Sequence, residues 1–202
     1  DQSANRSGVS CVCHSAARPR APSLLSRLMR VSRARGSAVA VLGNEQLRKI
    51  ELLSLTTIGE YLDIKGCSSS QQCYIETSQG GSSNSWYGNM YDTWNSQEGL
   101  EWISMPSLQT IGTYMVISYN QGLEWISMPA LTTINDYLTI YDNDVMVSLV
   151  ANNLKSIGNY LQVSDHTNLA NVTFTALQNV TSYVNMYNNQ NLQYVRAHAL
   201  SV

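Results

Sequence analysis

The side chains best suited to chemistry in this sequence are aromatic and amide groups in register with one another. Tyr114, Tyr137, Tyr160 and Tyr183 recur every 23 residues, and Trp102 and Trp125 repeat within two copies of Gly-Leu-Glu-Trp-Ile-Ser-Met-Pro. Rigid rings beside adaptable amides are recognition chemistry, since they supply contact area at little entropic cost. Signs of catalysis do not accompany them. His14, His166 and His198 occupy unrelated settings. No nucleophile elbow, phosphate-binding loop or paired metal-ligand spacing occurs. Gln79-Gly80-Gly81-Ser82 reads as a flexible stretch, not a phosphate cradle. The expectation is a non-catalytic protein with no cofactor and no metal.

Two further groups bear on compartment. All four cysteines, Cys11, Cys13, Cys67 and Cys73, lie in the first 73 residues. Their pairing is open, though Cys67 and Cys73 flank Ser68–Gln72 and could close a local loop. The spacing is not usual for structural zinc, so disulfides in an oxidising compartment are expected. Asn171-Val172-Thr173 and Asn179-Val180-Thr181 are glycosylation sequons, as is Asn5-Arg6-Ser7. In both Val-containing sequons the Asn adjoins an inward apolar residue and should point outward.

The elements that position these residues follow from an internal repeat, the first feature to seek in any chain. Five more apolar columns keep the step of the tyrosines: Leu123, Met146, Leu169, Leu192; Ile126, Leu149, Val172, Val195; Leu131, Leu154, Leu177, Leu200; Ile111, Ile134, Ile157, Val180; and Ile117, Ile140, Val163, Met186. Within Tyr-Leu-x-Ile the apolar residues alternate, which is strand periodicity. No unit holds an amphipathic run long enough for an ordinary helix. Each unit is therefore a coil of short strands and turns. Such a coil cannot bury its own apolar face and must stack on its neighbours, about 4.8 Å apart. The fold class is all-β: a leucine-rich-repeat-like β-helix of about seven coils of roughly 23–27 residues.

Units are assigned starts at 38, 61, 87, 114, 137, 160 and 183. The unit at 87 aligns Tyr87-Gly88-Asn89-Met90-Tyr91 with Tyr183-Val184-Asn185-Met186-Tyr187, leaving extra residues in Ser68–Ser85 and around Ser96–Gly99. Placing Tyr91 in the tyrosine column instead would turn Asp92 into the core. The turn after the first strand of each unit holds Asn44, Cys67, Asn120, Asn143, His166 and Asn189. Asn tolerates left-handed backbone and satisfies turn groups with its side chain. His166 is thus read as a corner residue, not as a ligand or catalyst.

The outward side of the Tyr-Leu-x-Ile sheet is written in Tyr, Asn, Thr and Ser. Its binding candidates are Tyr91, Tyr141 and Tyr187. The main tyrosine column has an equally good structural reading as an aromatic ladder. Trp102 and Trp125 are expected near a corner or on the outer surface, as a second contact site.

The segments LTTIGEYLDIKGC, LQTIGTYMVISYN, LTTINDYLTIYDN and LKSIGNYLQVSDH resemble the receptor L-domain repeat of receptor ectodomains and of fungal and protist surface proteins. The resemblance covers about 38–202 and implies a right-handed β-helix. It implies little about the ligand, since such folds host many partners. The chain departs from receptor L-domains in lacking dense flanking cysteine modules and an obvious end cap.

Residues 1–37 are different in kind: seven Arg against one acid, whereas 38–202 hold five Lys/Arg against 13 acids. Pro22–Ser32 is expected to form a short helix, with Leu24, Leu25, Leu28, Met29 and Val31 roughly on one side and Arg27 and Arg30 on the other. This basic arm reads as a cap for the first coil, a partner- or membrane-seeking helix, or residual targeting sequence. No apolar stretch is long enough for a transmembrane segment, and the near-neutral balance argues against nucleic acid. The functional expectation is an extracellular or cell-surface binding or adhesion module for protein or carbohydrate, secreted or surface-bound. The alternative is a structural subunit of a larger assembly, in an organelle lumen, docked on neighbouring subunits through residues 1–37.

Overall fold

The computed structural model describes residues 28–30, 35–36, 38–42, 47–66 and 99–200. These residues contain strands and no helix. They form successive turns of three short strands. The first turn comprises β1 (Leu28–Arg30), β2 (Arg35–Gly36) and β3 (Val39–Leu42), and the second β4 (Lys49–Glu51), β5 (Thr57–Ile58) and β6 (Leu62–Lys65). Next come β7 (Trp102–Ser104), β8 (Thr110–Ile111) and β9 (Met115–Ser118), then β10 (Trp125–Ser127), β11 (Thr133–Ile134) and β12 (Leu138–Tyr141). The last are β13 (Ser148–Val150), β14 (Ser156–Ile157), β15 (Leu161–Ser164), β16 (Asn171–Thr173), β17 (Asn179–Val180), β18 (Val184–Tyr187) and β19 (Tyr194–Arg196).

Equivalent strands of successive turns pair in parallel and make three sheets. Sheet A runs β1-β4-β7-β10-β13-β16-β19, sheet B β2-β5-β8-β11-β14-β17, and sheet C β3-β6-β9-β12-β15-β18. The chain is a parallel β-solenoid. The register is the repeat itself: Leu138 lies opposite Leu161 and Met115, and Ile140 opposite Val163 and Ile117. Like residues thus stack on like, and the three inner faces close on one core of Ile, Leu, Val and Met that includes Ile103, Leu131, Ile157 and Phe174.

Two expectations are corrected. The helix expected over Pro22–Ser32 does not form at Leu28–Arg30, which are strand β1, paired with Lys49–Glu51. Sheet pairing outcompetes amphipathic helix here because the neighbouring turn offers an open strand edge. The rung expected between the units at 61 and 114 is absent from the described stack, and Tyr87–Tyr91, assigned to it, lie outside the described residues. β6 is the direct neighbour of β9, with Leu62 opposite Met115, a step of 53 residues where other steps are 23. In sheet C the place next to β9 is taken by Leu62–Lys65. Sheet C therefore has six strands.

Candidate functional site

Two outward faces carry aromatic side chains on consecutive turns, and they are built differently. On sheet C, Tyr61, Tyr114, Tyr137, Tyr160 and Tyr183 form a continuous stack. Ring centroids are 4.8–5.1 Å apart and the planes are within 7° of parallel. Their spacing is the inter-strand spacing, so the rings meet because the backbones do. The inner rings bury both faces against their neighbours, with Tyr114 wholly buried, whereas Tyr183 at the end of the stack is 48% exposed. The ladder reading of this column is the one the geometry supports.

The rest of the sheet C face offers little free surface along its middle. Asp63, Val116, Ser118, Thr139 and Ser164 are buried. Lys65 Nζ lies 3.2 Å from Asp63 Oδ2. Tyr141 is half-buried, with its ring 5.0 Å from Tyr119 in an edge-on contact. Tyr187 is exposed and accepts a hydrogen bond from Gln162 Nε2 at 3.2 Å. The third tyrosine candidate, Tyr91, lies outside the described residues, as do Cys11, Cys13, Cys67 and Cys73.

On sheet A the aromatic residues are open. Trp102 and Trp125 stand opposite each other on β7 and β10, and they are 45% and 51% exposed. They lie in strands, not at a corner, because Ile103 and Ile126 between their neighbours take the inward positions. Their centroids are 6.2 Å apart and their planes tilt by 35°, so the two rings do not stack flat on each other. Lys49, one turn earlier in the same column, places Nζ 5.1 Å from the centre of the Trp102 ring. The sequence reading missed this cation–π contact, because Lys49 and Trp102 are 53 residues apart. The column continues through Ser148 and Asn171 to the exposed Tyr194. Arg48 Nη1 pairs with Glu101 Oε1 at 2.9 Å beside it. The result is a ring pair with a cation at one end and small hydroxyl and amide side chains at the other.

Asn171 and Asn179 lie on sheets A and B, and the sequon at Asn5 lies outside the described residues. Asn171 is a half-buried member of the sheet A column. Asn179 is exposed on β17, and its Nδ2 donates to Thr181 Oγ1 at 3.3 Å.

The corner after sheet C is a structural centre. Tyr119, Asp142, Asp165 and Asn188 adopt left-handed backbone, with φ of 57°, 50°, 60° and 54°. That bend turns the next residue inward. Asn120 Nδ2 donates to Ile64 O at 3.2 Å and Asn143 Nδ2 to Ile117 O at 3.0 Å, each reaching back one turn. Asn143 Oδ1 accepts the Asn120 backbone N–H at 3.1 Å. His166 fills the same slot, fully buried. Its Nδ1 is 3.2 Å from the Asn143 backbone N and its Nε2 is 3.3 Å from Ile140 O. Nδ1 is also 3.2 Å from Asn143 O. The neighbouring slot settles the tautomer, since there the equivalent atom is an acceptor of N–H. The ring proton is then on Nε2, and the imidazole stands in for a carboxamide. Burial holds the His166 pKa below its ordinary 6.5, opposed by hydrogen bonds to Asn143 and Ile140 and by the Asp144 and Asp165 charges. His166 is thus a corner residue.

Around the corner Asp142 has a raised pKa, from burial first and then from the Asp165 and Asp144 charges, with a Tyr119 hydrogen bond opposing. Asp165 Oδ1 accepts from Asn188 Nδ2 at 2.9 Å and Asp144 Oδ1 from Thr167 Oγ1 at 2.8 Å. Among the described residues no group of three His, Cys, Asp or Glu is placed to hold a metal ion. No helix there is long and apolar enough to cross a membrane.

No family profile, curated protein or solved structure matches this chain.

Proposed function

We propose that this chain is a non-catalytic binding or adhesion module whose recognition surface is the outer face of sheet A around Trp102 and Trp125. The observation that carries the reading is the pair of large aromatic side chains left about half exposed on adjacent strands of a rigid scaffold. Exposed Trp in a contiguous patch marks contact sites, because desolvating it on binding is favourable. The flanking Lys49, Ser148 and Asn171 suit a partner rich in hydroxyl and amide groups, either protein or carbohydrate. Tyr141 and Tyr187 on sheet C form the secondary surface.

Kinship with the receptor L-domain belongs to this proposal and has its support in the repeat unit alone. So do the right-handed coil, the N-terminal cap, the disulfides, the glycans on Asn171 and Asn179, and a secreted or cell-surface location. The reading as a structural subunit docked through residues 1–37 concerns a segment mostly outside the described residues.

The test is binding of the full chain to a glycan array and to immobilised extracellular-matrix and wall polymers. Trp102→Ala with Trp125→Ala should abolish the strongest signal while the circular dichroism spectrum stays unchanged. Retained binding in that variant, with loss in Tyr141→Ala plus Tyr187→Ala, would move the site to sheet C.

A further inference from the structure

The two tryptophans belong to a straight column along the solenoid axis. On the outer face of sheet A the column continues from Trp125 through Ser148 to Asn171, one residue per turn and in strict register. The step between neighbours is the inter-strand spacing of about 4.8 Å. A second column runs beside it, since Ser104 and Ser127 follow the two rings two residues on in the same strands and face the same way. β7 and β10 are interior strands, each paired on both sides. Their backbone groups are taken up by the neighbouring turns, so this face offers no edge to which an extended peptide could add. Recognition there falls to side chains. The nearby charges are committed as well. Lys49 Nζ faces the Trp102 ring and Arg48 holds Glu101, while Glu124 stands exposed beside Trp125. A polyanion approaching the rings meets the Glu124 carboxylate, and the two cations beside them are already engaged.

Resting on the reading of this face as the recognition surface, we infer that the column binds an extended, uncharged β-linked glycan of the cellulose or chitin type, laid along the solenoid axis with one sugar to a turn. The rung step is close to the advance per sugar of such a chain, so successive turns meet successive sugars in the same way. In these sugars the ring substituents lie equatorial, and the axial C–H groups make two apolar faces. Those faces suit Trp102 and Trp125, whose rings supply rigid apolar area. The polar rim of each sugar needs groups that both donate and accept. The Ser104 and Ser127 hydroxyls provide them beside the rings, and Ser148 and the Asn171 amide provide them further along the column. A glycan held in this way is read along its length and not at its terminus. Affinity therefore grows with each sugar that reaches a further turn.

Isothermal titration calorimetry of the full chain with cello-oligosaccharides and chito-oligosaccharides, from dimer to hexamer, is the test. A glycan carried by Asn171 would take the same place, so the chain is measured before and after enzymatic N-glycan release, and binding in either state is read. In at least one series affinity should rise by about tenfold or more from dimer to tetramer. Ser148→Arg sets a long side chain across the column beyond the rings. It should hold the tetramer at the affinity of the dimer, leave the dimer unaffected and leave the circular dichroism spectrum unchanged. Should that variant fold poorly, Asn171→Arg should stop the gain at the trimer. Affinity independent of length overturns the inference, as does a folded blocking variant that still gains from longer oligomers, or no binding in either series. Where no oligomer binds but an immobilised matrix protein is lost in the Trp102→Ala, Trp125→Ala variant, the surface stands and the glycan assignment falls. Oligomers that bind the double variant undiminished overturn the surface itself.

Discussion

Sheets A and C present aromatic residues in the same way on paper and in opposite ways in space. The tyrosines beside sheet C recur on five consecutive turns, so each ring finds a ring at the strand spacing. The tryptophans of sheet A occupy two turns only, bounded by Lys49 before and Ser148 after. They have one aromatic neighbour each and leave surface unused. Periodicity that persists along a solenoid is spent on the neighbouring coil, and periodicity that breaks off leaves side chains for something else. The same contrast separates the buried amide corners from the exposed sequon at Asn179.

The strongest perturbation should be common to both faces. Ile140→Asp places an unpaired carboxylate in the shared core, beneath sheet C and across from sheet A. It should cost more than about 4 kcal/mol and show as loss of cooperative thermal unfolding. The next effect separates the faces. Tyr137→Ala removes the ring between Tyr114 and Tyr160 and should lower stability by about 2–3 kcal/mol in urea denaturation. Trp102→Ala should cost under about 1 kcal/mol, chiefly the contact with Lys49, while eliminating ligand binding. Equal stability losses at the two positions would erase the distinction drawn between ladder and site.

The corner sharpens it further. His166→Ala leaves the Asn143 N–H and Ile140 carbonyl without their buried partner and should cost about 1–3 kcal/mol. His166→Asn should recover much of that, because Asn143 shows that an amide fits the slot. The two variants also differ from wild type in pH dependence. Burial lowers the folded-state pKa of His166 from 6.5. The unfolded chain therefore binds the proton first as pH falls. The contribution is fully present above about pH 6.5 and is lost as pH drops from there toward the lower folded value. His166→Asn should flatten this part of a stability–pH profile. The smallest effect belongs to Asp142. Its folded-state pKa is raised by burial and by Asp165 and Asp144, so ionisation opposes folding as pH rises above 3.8. Asp142→Asn should raise the melting temperature slightly at neutral pH, by less than about 0.5 kcal/mol in stability.

Much of the fold was legible because the columns are physical objects. The alternation in Tyr-Leu-x-Ile places Leu138 and Ile140 inward, and the constant step sets which residues pair. The role of His166 was legible for the same reason, from its place among Asn120, Asn143 and Asn189. What failed was reading that depends on partners distant in sequence. Leu28–Arg30 have helical spacing of apolar residues, and only the edge of Lys49–Glu51 makes them strand. Tyr87–Tyr91 resemble Tyr183–Tyr187 in several positions, but local likeness does not reveal that Leu62–Lys65 pair directly with Met115–Ser118. The third sheet of each coil was not foreseen as separate, because two-residue strands such as Ser156–Ile157 are too short to show a period. The exposure of Trp102 and Trp125 was anticipated, but the cation beside them was not.

The 53-residue step between Leu62 and Met115 has a consequence for how such a chain can vary in length. All three sheets run across it without a shift in register, since Lys49 still meets Trp102 and Thr57 still meets Thr110. The connection from β6 to β7 is therefore a point where chain length and rung alignment are uncoupled. Closure entropy grows only logarithmically with such an addition. The solenoid behaves there like a splice: material can be added or cut between Gly66 and Gly99 while the stack on either side keeps its phase.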